Sequence, residues 1–160
     1  MLHLWDLSGA TETTAPEIIQ SSDYFTFSPD GTWLVACSGG EFHFYRVGAW
    51  HEKVFTIRRR LSSDQHAPVA FTKDGRTVAF ASSRYTVQLF ALPQASGGEP
   101  KLIGTLESPD RFPLEMLAFS PDGRRLAAAT DRQIVQLWNL ALLKQGLAEL
   151  NLERDWPEYR

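Results

Sequence analysis

Cysteine is nearly absent from this 160-residue sequence, in which Cys37 is the only one. A single cysteine excludes an internal disulfide and a metal cluster built from several thiolates. Long apolar runs are missing too, since stretches such as WLVAC at 33–37 are far shorter than the about 20 residues that span a bilayer. The N-terminal MLHLWDLSGATETT lacks the basic start and the apolar run of a signal peptide. These absences predict a soluble, cytoplasmic protein that does not contact a membrane.

An excess of positive charge is also lacking. The sequence has 16 Lys and Arg against 19 Asp and Glu, a net charge of −3. Proteins that bind nucleic acids present clustered basic side chains to the phosphates. Nucleic acid is therefore not expected as a partner.

Catalytic motifs are missing as well. The histidines, His3, His43, His51 and His66, are scattered, and no nucleophile elbow, phosphate-binding loop or zinc-protease motif accompanies them. His43 lies in the alternating segment EFHFYRV, which is typical of a core or sheet-face position. The sequence predicts no enzyme activity, no metal site and no cofactor.

What the sequence does contain is a repeat. FTFSPDG at 25–31, VAFTKDG at 69–75 and LAFSPDG at 117–123 are copies of one heptapeptide, with starts 44 and 48 residues apart. Each copy precedes a short apolar segment and then an alternating one: EFHFYRV, TVQLFAL or IVQLWNL. Alternation favours a strand, and Pro-Asp-Gly or Lys-Asp-Gly favours a tight turn. The pattern predicts repeated antiparallel hairpins in an all-β fold.

The repeating unit resembles the WD repeat, whose period is about 40–45 residues. The dipeptide that names the family is present as Trp5-Asp6, and it becomes Tyr45-Arg46, Phe90-Ala91 and Trp138-Asn139 in the later copies. The Gly-His pair that precedes the first strand of family repeats is absent from every copy. The family's buried His-Asp network is therefore not expected, and the blades should depend on apolar packing.

The resemblance implies an all-β fold, a partial WD-repeat β-propeller of about three and a half four-stranded antiparallel blades with a short C-terminal helix. The expected units are a partial blade at 1–20, blades at about 21–60, 61–107 and 108–140, and a helical tail at 141–160. The partial blade would supply a third strand in LHLWDL and a fourth near Pro16 to Gln20, and the last blade would lack its fourth strand.

An open arc of blades exposes an apolar sheet face at each end, which proteins cover by association. In whole propellers of the family an N-terminal strand commonly completes the last blade and closes the ring. Here we expect closure to need more than one chain. Two arcs could close head to tail as a homodimer, or a separate polypeptide could supply the missing blades; the sequence does not decide between them.

The tail, ALLKQGLAELNLERDWPEYR, predicts a short amphipathic helix weakened by Gly146 and stopped by Pro157. We expect it to cover the last blade, with a docking helix for a partner as the alternative. The tail resembles the ending after WD propellers in bacterial multidomain proteins, including planctomycete chains that carry a serine/threonine kinase.

The resemblance implies a protein-interaction scaffold, because loops on a rigid propeller are where recognition usually occurs. Arginine and aromatic side chains are enriched at binding hot spots. The loops at one rim carry the candidate protein-binding residues Tyr24, Arg84, Tyr85, Arg111 and Phe112. The alternative function is a non-catalytic remnant or sensor part of a larger bacterial signalling protein such as a kinase.

Overall fold

A computed structural model describes residues 4–6, 9, 11–13, 24–49, 52–59, 68–94 and 98–150. Its strands are β1 (Leu4–Asp6), β2 (Thr11–Thr13), β3 (Tyr24–Phe27), β4 (Trp33–Ser38), β5 (Glu41–Arg46), β6 (Lys53–Arg58), β7 (Val69–Phe71), β8 (Thr77–Ala81), β9 (Thr86–Ala91), β10 (Lys101–Glu107), β11 (Leu114–Phe119), β12 (Arg125–Thr130) and β13 (Val135–Asn139). One helix, α1 (Leu140–Glu149), follows the last strand within the described residues.

The strands form antiparallel sheets in which neighbours along the chain are neighbours in space. Blade 1 is β3–β4–β5–β6, blade 2 is β7–β8–β9–β10, and blade 3 is β11–β12–β13. Strand β11 packs beside β7 of the preceding blade, so these first strands lie on the inner side. The arrangement is an open part of a β-propeller, as the repeat predicted.

The first strand of the chain pairs with a different segment from the one expected. β1 forms a two-stranded antiparallel sheet with β2, in which Trp5 lies opposite Glu12. Gly9 lies in a turn, and the antiparallel pairing means that the chain has reversed by Thr11, before the predicted fourth strand. The predicted range 16–20 itself lies outside the described residues.

The repeated heptapeptide builds the same turn in each blade. In blade 1 the Ser28 hydroxyl accepts a hydrogen bond from the Trp33 amide at 2.8 Å, and the Asp30 carboxylate accepts one from the Thr32 amide at 3.1 Å. Thr72 with Asp74, and Ser120 with Asp122, make the matching bonds in the other blades. The turn-forming role predicted for the aspartates is therefore confirmed.

The carboxylates of two of these turns are stabilised in their charged form. Burial by itself would raise the pKa of the Asp30 carboxyl. Hydrogen bonds from Ser28 and Thr32 outweigh that effect and hold the pKa below its ordinary value. The Ser120 hydroxyl and the Arg124 amide lower the pKa of Asp122 in the same way. Hydrogen bonds to a carboxylate favour ionisation, so the turns are strongest above acidic pH.

The core lies between successive blades. One apolar cluster joins blade 1 to blade 2, where the Phe42 and Phe80 ring centroids are 4.5 Å apart. A second cluster joins blade 2 to blade 3 and includes Leu89 and Leu126. The Arg46 guanidinium covers the ring of buried Trp33 at 4.2 Å, a cation–π contact at the margin of the first cluster.

Helix α1 begins at Leu140, one residue before the predicted tail, and continues through Gly146 to Glu149. Asn139, which replaces the family's Asp, is the N-cap: its side chain accepts a hydrogen bond from the Leu142 amide at 3.1 Å. Leu140 is buried in the second cluster, which anchors the helix to blade 3, whereas Leu142 and Leu143 are exposed. That the tail at 141–160 covers the last blade stays a prediction. Residues 151–160, including Pro157, lie outside the described residues.

Candidate protein-interaction site

Two loops meet at one rim of the blades, between blade 2 and blade 3. The β8–β9 loop (82–85) and the β10–β11 loop (108–113) are joined by backbone hydrogen bonds. The Ser108 amide donates to the Tyr85 carbonyl at 2.7 Å, and the Leu114 amide donates to the Arg84 carbonyl at 2.9 Å. The Ser83 hydroxyl also accepts from the Tyr85 amide at 3.2 Å. The first two of these bonds join the loops into one surface, called here the rim site.

The rim site brings together four of the five side chains chosen from the sequence. Arg84 and Arg111 are exposed, and Tyr85 and Phe112 are half-buried beside them in the chain. Arg111 has a φ of +50°, a left-handed conformation that is uncommon for a residue other than glycine. Tyr24 is also exposed, but it begins β3 in blade 1 and belongs to a separate part of the rim.

A polar pair below the rim site was not anticipated from the sequence. The Gln136 Nε2 on β13 donates to the Ser108 hydroxyl at 2.9 Å, and both residues are buried. The Gln136 Oε1 accepts no hydrogen bond from the described residues. The pair connects positions 28 residues apart, so only the packing of blade 2 against blade 3 reveals it.

His43 lies on the face of β5 opposite Phe42 and Phe44, the sheet-face position that its alternating segment indicated. It is buried, and its Nδ1 lies 3.2 Å from the Thr56 hydroxyl on the paired strand β6. Burial lowers the pKa of His43, and the positive charge of Lys53 lowers it further, against the opposing effect of Glu41. The ring is therefore neutral at pH 7, and it has a structural place in the sheet.

The last blade exposes an apolar sheet face. Its members lie on the side of blade 3 away from blade 2 and are called here the open face: Met116, Ala127, Ala129, Val135 and Leu137. The equivalent side of blade 2, called here the covered face, comprises Ala79, Ala81, Val87 and Leu89. Val87 and Leu89 are 0% exposed, whereas Val135 and Leu137 are 68% and 61% exposed.

The turn of blade 1 lies against the turn of blade 2. A Cβ added at Gly75, in the turn of blade 2, would collide with the Asp30 carboxylate in the turn of blade 1. Gly31, the equivalent glycine of blade 1, is exposed, and a Cβ there would meet no atom within 4 Å. The turn of blade 1 is therefore uncovered at Gly31, at one end of the arc. At the other end, Asp122 in the turn of blade 3 is exposed.

Within the described ranges, no group of three or more histidine, cysteine, aspartate or glutamate side chains is placed to hold a metal ion. In that same part of the chain, no helix has the length and apolar character to cross a membrane.

Comparison with known proteins agrees with the blade geometry. The family model described as WD domain, G-beta repeat matches residues 18–45 and 101–139, which together are less than half of the chain. No curated protein matches the chain in sequence.

Solved structures match it in fold. The β-propeller domain of Myceliophteria thermophila Cps50 (Swd1) is 16% identical with a TM-score of 0.65, and the match covers 82% of this chain and 46% of that domain. A chain in the crystal structure of the Mitotic Checkpoint Complex is 18% identical with a TM-score of 0.66, covering 87% of this chain and 40% of that one. This chain therefore spans less than half the length of either neighbour.

These identities are low, so the likeness establishes the fold alone, an arc of a larger propeller. Together with the repeated turns and the two matched segments, it supports a place for this chain in the WD-repeat β-propeller family.

Proposed function

We propose that this chain is a protein-interaction scaffold that binds its partner at the rim site. The observation that carries the proposal is the hydrogen-bonded junction of two loops, which holds two exposed arginines next to two half-buried aromatic side chains. Tyrosine supplies a large contact area with only about two rotatable side-chain bonds. Arginine and tyrosine are both enriched among the residues that dominate binding energy. Nothing catalytic is assigned to the site.

The rim site is suited to binding because its backbone is already fixed. The two inter-loop hydrogen bonds and the buried Gln136–Ser108 pair hold the loops on the core. A loop that is ordered before binding loses less conformational entropy when a partner docks. The proposal includes the cytoplasmic location expected from the sequence, and a ring completed by a second copy or by another chain.

A matched pair of double variants tests the rim site. Arg84→Ala with Arg111→Ala removes two exposed arginines from the rim, and Arg76→Ala with Arg124→Ala removes two from the opposite turns. The immobilised full chain is used to capture proteins from the source cells, and bound proteins are quantified by mass spectrometry. We expect the rim variant to lose its specific partner by about tenfold or more, since hot-spot truncations cost over 1 kcal/mol, and the control variant to retain it.

Equal loss in both double variants would show that charge alone drives the capture and would contradict the rim site. Binding that persists in both would place the recognition surface elsewhere on the blades.

A second candidate function is a non-catalytic part of a larger bacterial signalling protein such as a serine/threonine kinase. It is favoured by the exposed open face, which further blades of a larger propeller would cover. This reading predicts that the isolated chain aggregates on dilution from denaturant unless a complementary fragment is present. A scaffold in its own right predicts a stable assembly at low concentration.

A further inference from the structure

We propose that the outer edge of β13 binds an extended segment of another polypeptide as a fourth strand of blade 3, and that Gln136 selects a threonine or serine in that segment. This surface is separate from the rim site and has its own ligand. Blades 1 and 2 each have four paired strands, whereas blade 3 has three among the described residues. The edge of a sheet presents backbone donors and acceptors with which an added strand pairs.

The backbone of β13 directs two residues to this edge. Just before the strand, the Ile134 carbonyl accepts a hydrogen bond from the Thr130 amide on β12 at 3.0 Å. In an antiparallel ladder the bonds to one neighbour recur at every second residue, so the backbone groups of Val135 and Leu137 point to the opposite side. Each of these two residues therefore offers one N–H and one C=O to an added strand.

The fourth strands inside this chain share a threonine at one register position. In blade 1, Thr56 on β6 lies opposite His43, and its hydroxyl is 3.2 Å from the His43 Nδ1. In blade 2, Thr105 on β10 lies opposite Gln88. Gln136 holds the same position in β13, because both third strands contain Val-Gln-Leu. A residue of the same type is therefore expected opposite Gln136.

Gln136 has an unused acceptor at this position. The residue is 8% exposed, and its Nε2 donates to the Ser108 hydroxyl at 2.9 Å. Its Oε1 is buried and accepts no hydrogen bond from the described residues. A buried acceptor without a partner is destabilising, so a donor that reaches it is favoured. A hydroxyl placed beside Gln136, where Thr56 stands beside His43, would supply that donor.

The residue after the threonine is also shared. It is Ile57 in β6 and Leu106 in β10, and each is 8% exposed. Leu106 lies opposite Val87, whose equivalent in β13 is Val135. Val135 is 68% exposed, so an apolar residue opposite it would cover part of its side chain. The expected ligand is thus an extended segment with threonine or serine followed by isoleucine or leucine.

A peptide that copies residues 100–108 of this chain, PKLIGTLES, is the probe, because β10 pairs with the Val-Gln-Leu of β9. Fluorescence anisotropy of the labelled peptide with the full chain gives the dissociation constant. Replacing the threonine of the peptide with valine removes the hydroxyl and keeps the shape. This change should weaken binding by about tenfold, since the acceptor stays unpaired. Equal affinity for the two peptides, or binding of neither, overturns the proposal.

Variants of the chain locate the bound peptide. Gln136→Leu removes the acceptor, so the threonine and valine peptides should then bind within about twofold of each other. Gln88→Leu is the matched control at the same position of β9, and Ser108→Ala breaks the side-chain pair but keeps the acceptor. Both controls should retain the preference for threonine. A preference that survives Gln136→Leu, or that is lost in either control, overturns the proposal.

N-methylation of the peptide tests the strand pairing. The Ser108 amide donates to the Tyr85 carbonyl at 2.7 Å, so the next bonded pair, two residues along, is Leu106 opposite Val87. Methylating the peptide amide at the Leu106 position should weaken binding by more than about tenfold, because a ladder donor is lost. Methylation at the Thr105 position, where the amide points away from the partner strand, should change binding by less than about threefold. Equal losses from the two methylations contradict a paired strand.

Failure of this proposal is distinguishable from failure of the rim site. The variant Arg84→Ala with Arg111→Ala should bind the peptide as the parent chain does, while it loses its captured protein. Peptide binding that is lost in this variant would mean that the peptide binds at the rim and not at the edge of β13.

Discussion

Strands β9 and β13 both contain Val-Gln-Leu, yet they end in opposite environments. Val87 and Leu89 of β9 are fully buried, and Val135 and Leu137 of β13 are mostly exposed. Both segments form the third strand of their blade and pair with an alanine-rich second strand. Local sequence thus determines the strand, whereas burial depends on whether another blade follows. A repeat therefore specifies its own strands, and the neighbouring blade supplies the burial of their faces.

The largest expected change in stability comes from replacing the equivalent leucine of each strand, Leu89 in β9 and Leu137 in β13, with alanine. Leu89→Ala should destabilise the chain by about 2–5 kcal/mol, as in other large-to-small core substitutions, because blade 3 covers the site and a cavity would remain. Leu137→Ala should cost below about 1 kcal/mol at low protein concentration, since little apolar surface is buried there. Urea unfolding monitored by tryptophan fluorescence measures both. Equal losses under dilute conditions would mean that the open face is covered within one chain.

A second matched pair compares the turn glycines. Gly31→Ala and Gly75→Ala place a Cβ at similar φ values, +72° and +65°, so both should lose about 1 kcal/mol from left-handed strain. Gly75→Ala should lose about 1–2 kcal/mol more, because its Cβ would meet the Asp30 carboxylate of the adjacent turn. Thermal unfolding of the two variants gives the difference directly. An Asp30→Ala background should remove most of it, and a difference that persists there would show that the turns do not contact as described.

Much of the fold could be predicted from the sequence because its signals are local. The short apolar segment after the first Pro-Asp-Gly turn was predicted as part of a hairpin, and it forms β4 at Trp33–Ser38. The fourth strand of the partial blade could not be placed in the same way, because no heptapeptide marks it; β2 lies at Thr11–Thr13. A weakly patterned segment needs its pairing partner to determine which residues become the strand.

The candidate site was predictable only in part for the same reason. Arg84 and Arg111 are in loops that flanking strands identify, so residue type and position suggested them. The two loops are joined because the Leu114 amide of blade 3 donates a hydrogen bond to the Arg84 carbonyl of blade 2. The buried Gln136–Ser108 pair depends on the same packing. Contacts between blades link residues that are distant in the chain, and a repeat motif does not encode them.

A smaller, pH-dependent effect is expected at His43. The positions equivalent to His43 in β9 and β13 are Gln88 and Gln136, so His43→Gln makes the three strands alike. Burial lowers the pKa of His43 below its ordinary value of 6.5 in the folded chain. The unfolded state then binds more protons as pH falls below 6.5, so the parent chain should lose stability towards its lowered pKa, and His43→Gln should lose less. Urea midpoints at pH 7.5 and 5.5 test this; parallel losses in both proteins would contradict it.

The smallest effect is expected at the start of α1, where blade 3 departs from blade 2. Phe90-Ala91 in β9 leads into a loop, whereas Trp138-Asn139 in β13 leads into the helix, and the Asn139 side chain accepts from the Leu142 amide. Asn139→Ala should cost about 1 kcal/mol, the typical loss of an N-cap. Asn139→Asp restores the family dipeptide, keeps an acceptor and places a negative charge at the helix N-terminus, so it should match or exceed the parent in stability. Thermal unfolding ranks the three proteins, and an alanine variant as stable as the parent would mean that Leu140, buried in the core, is sufficient to anchor the helix.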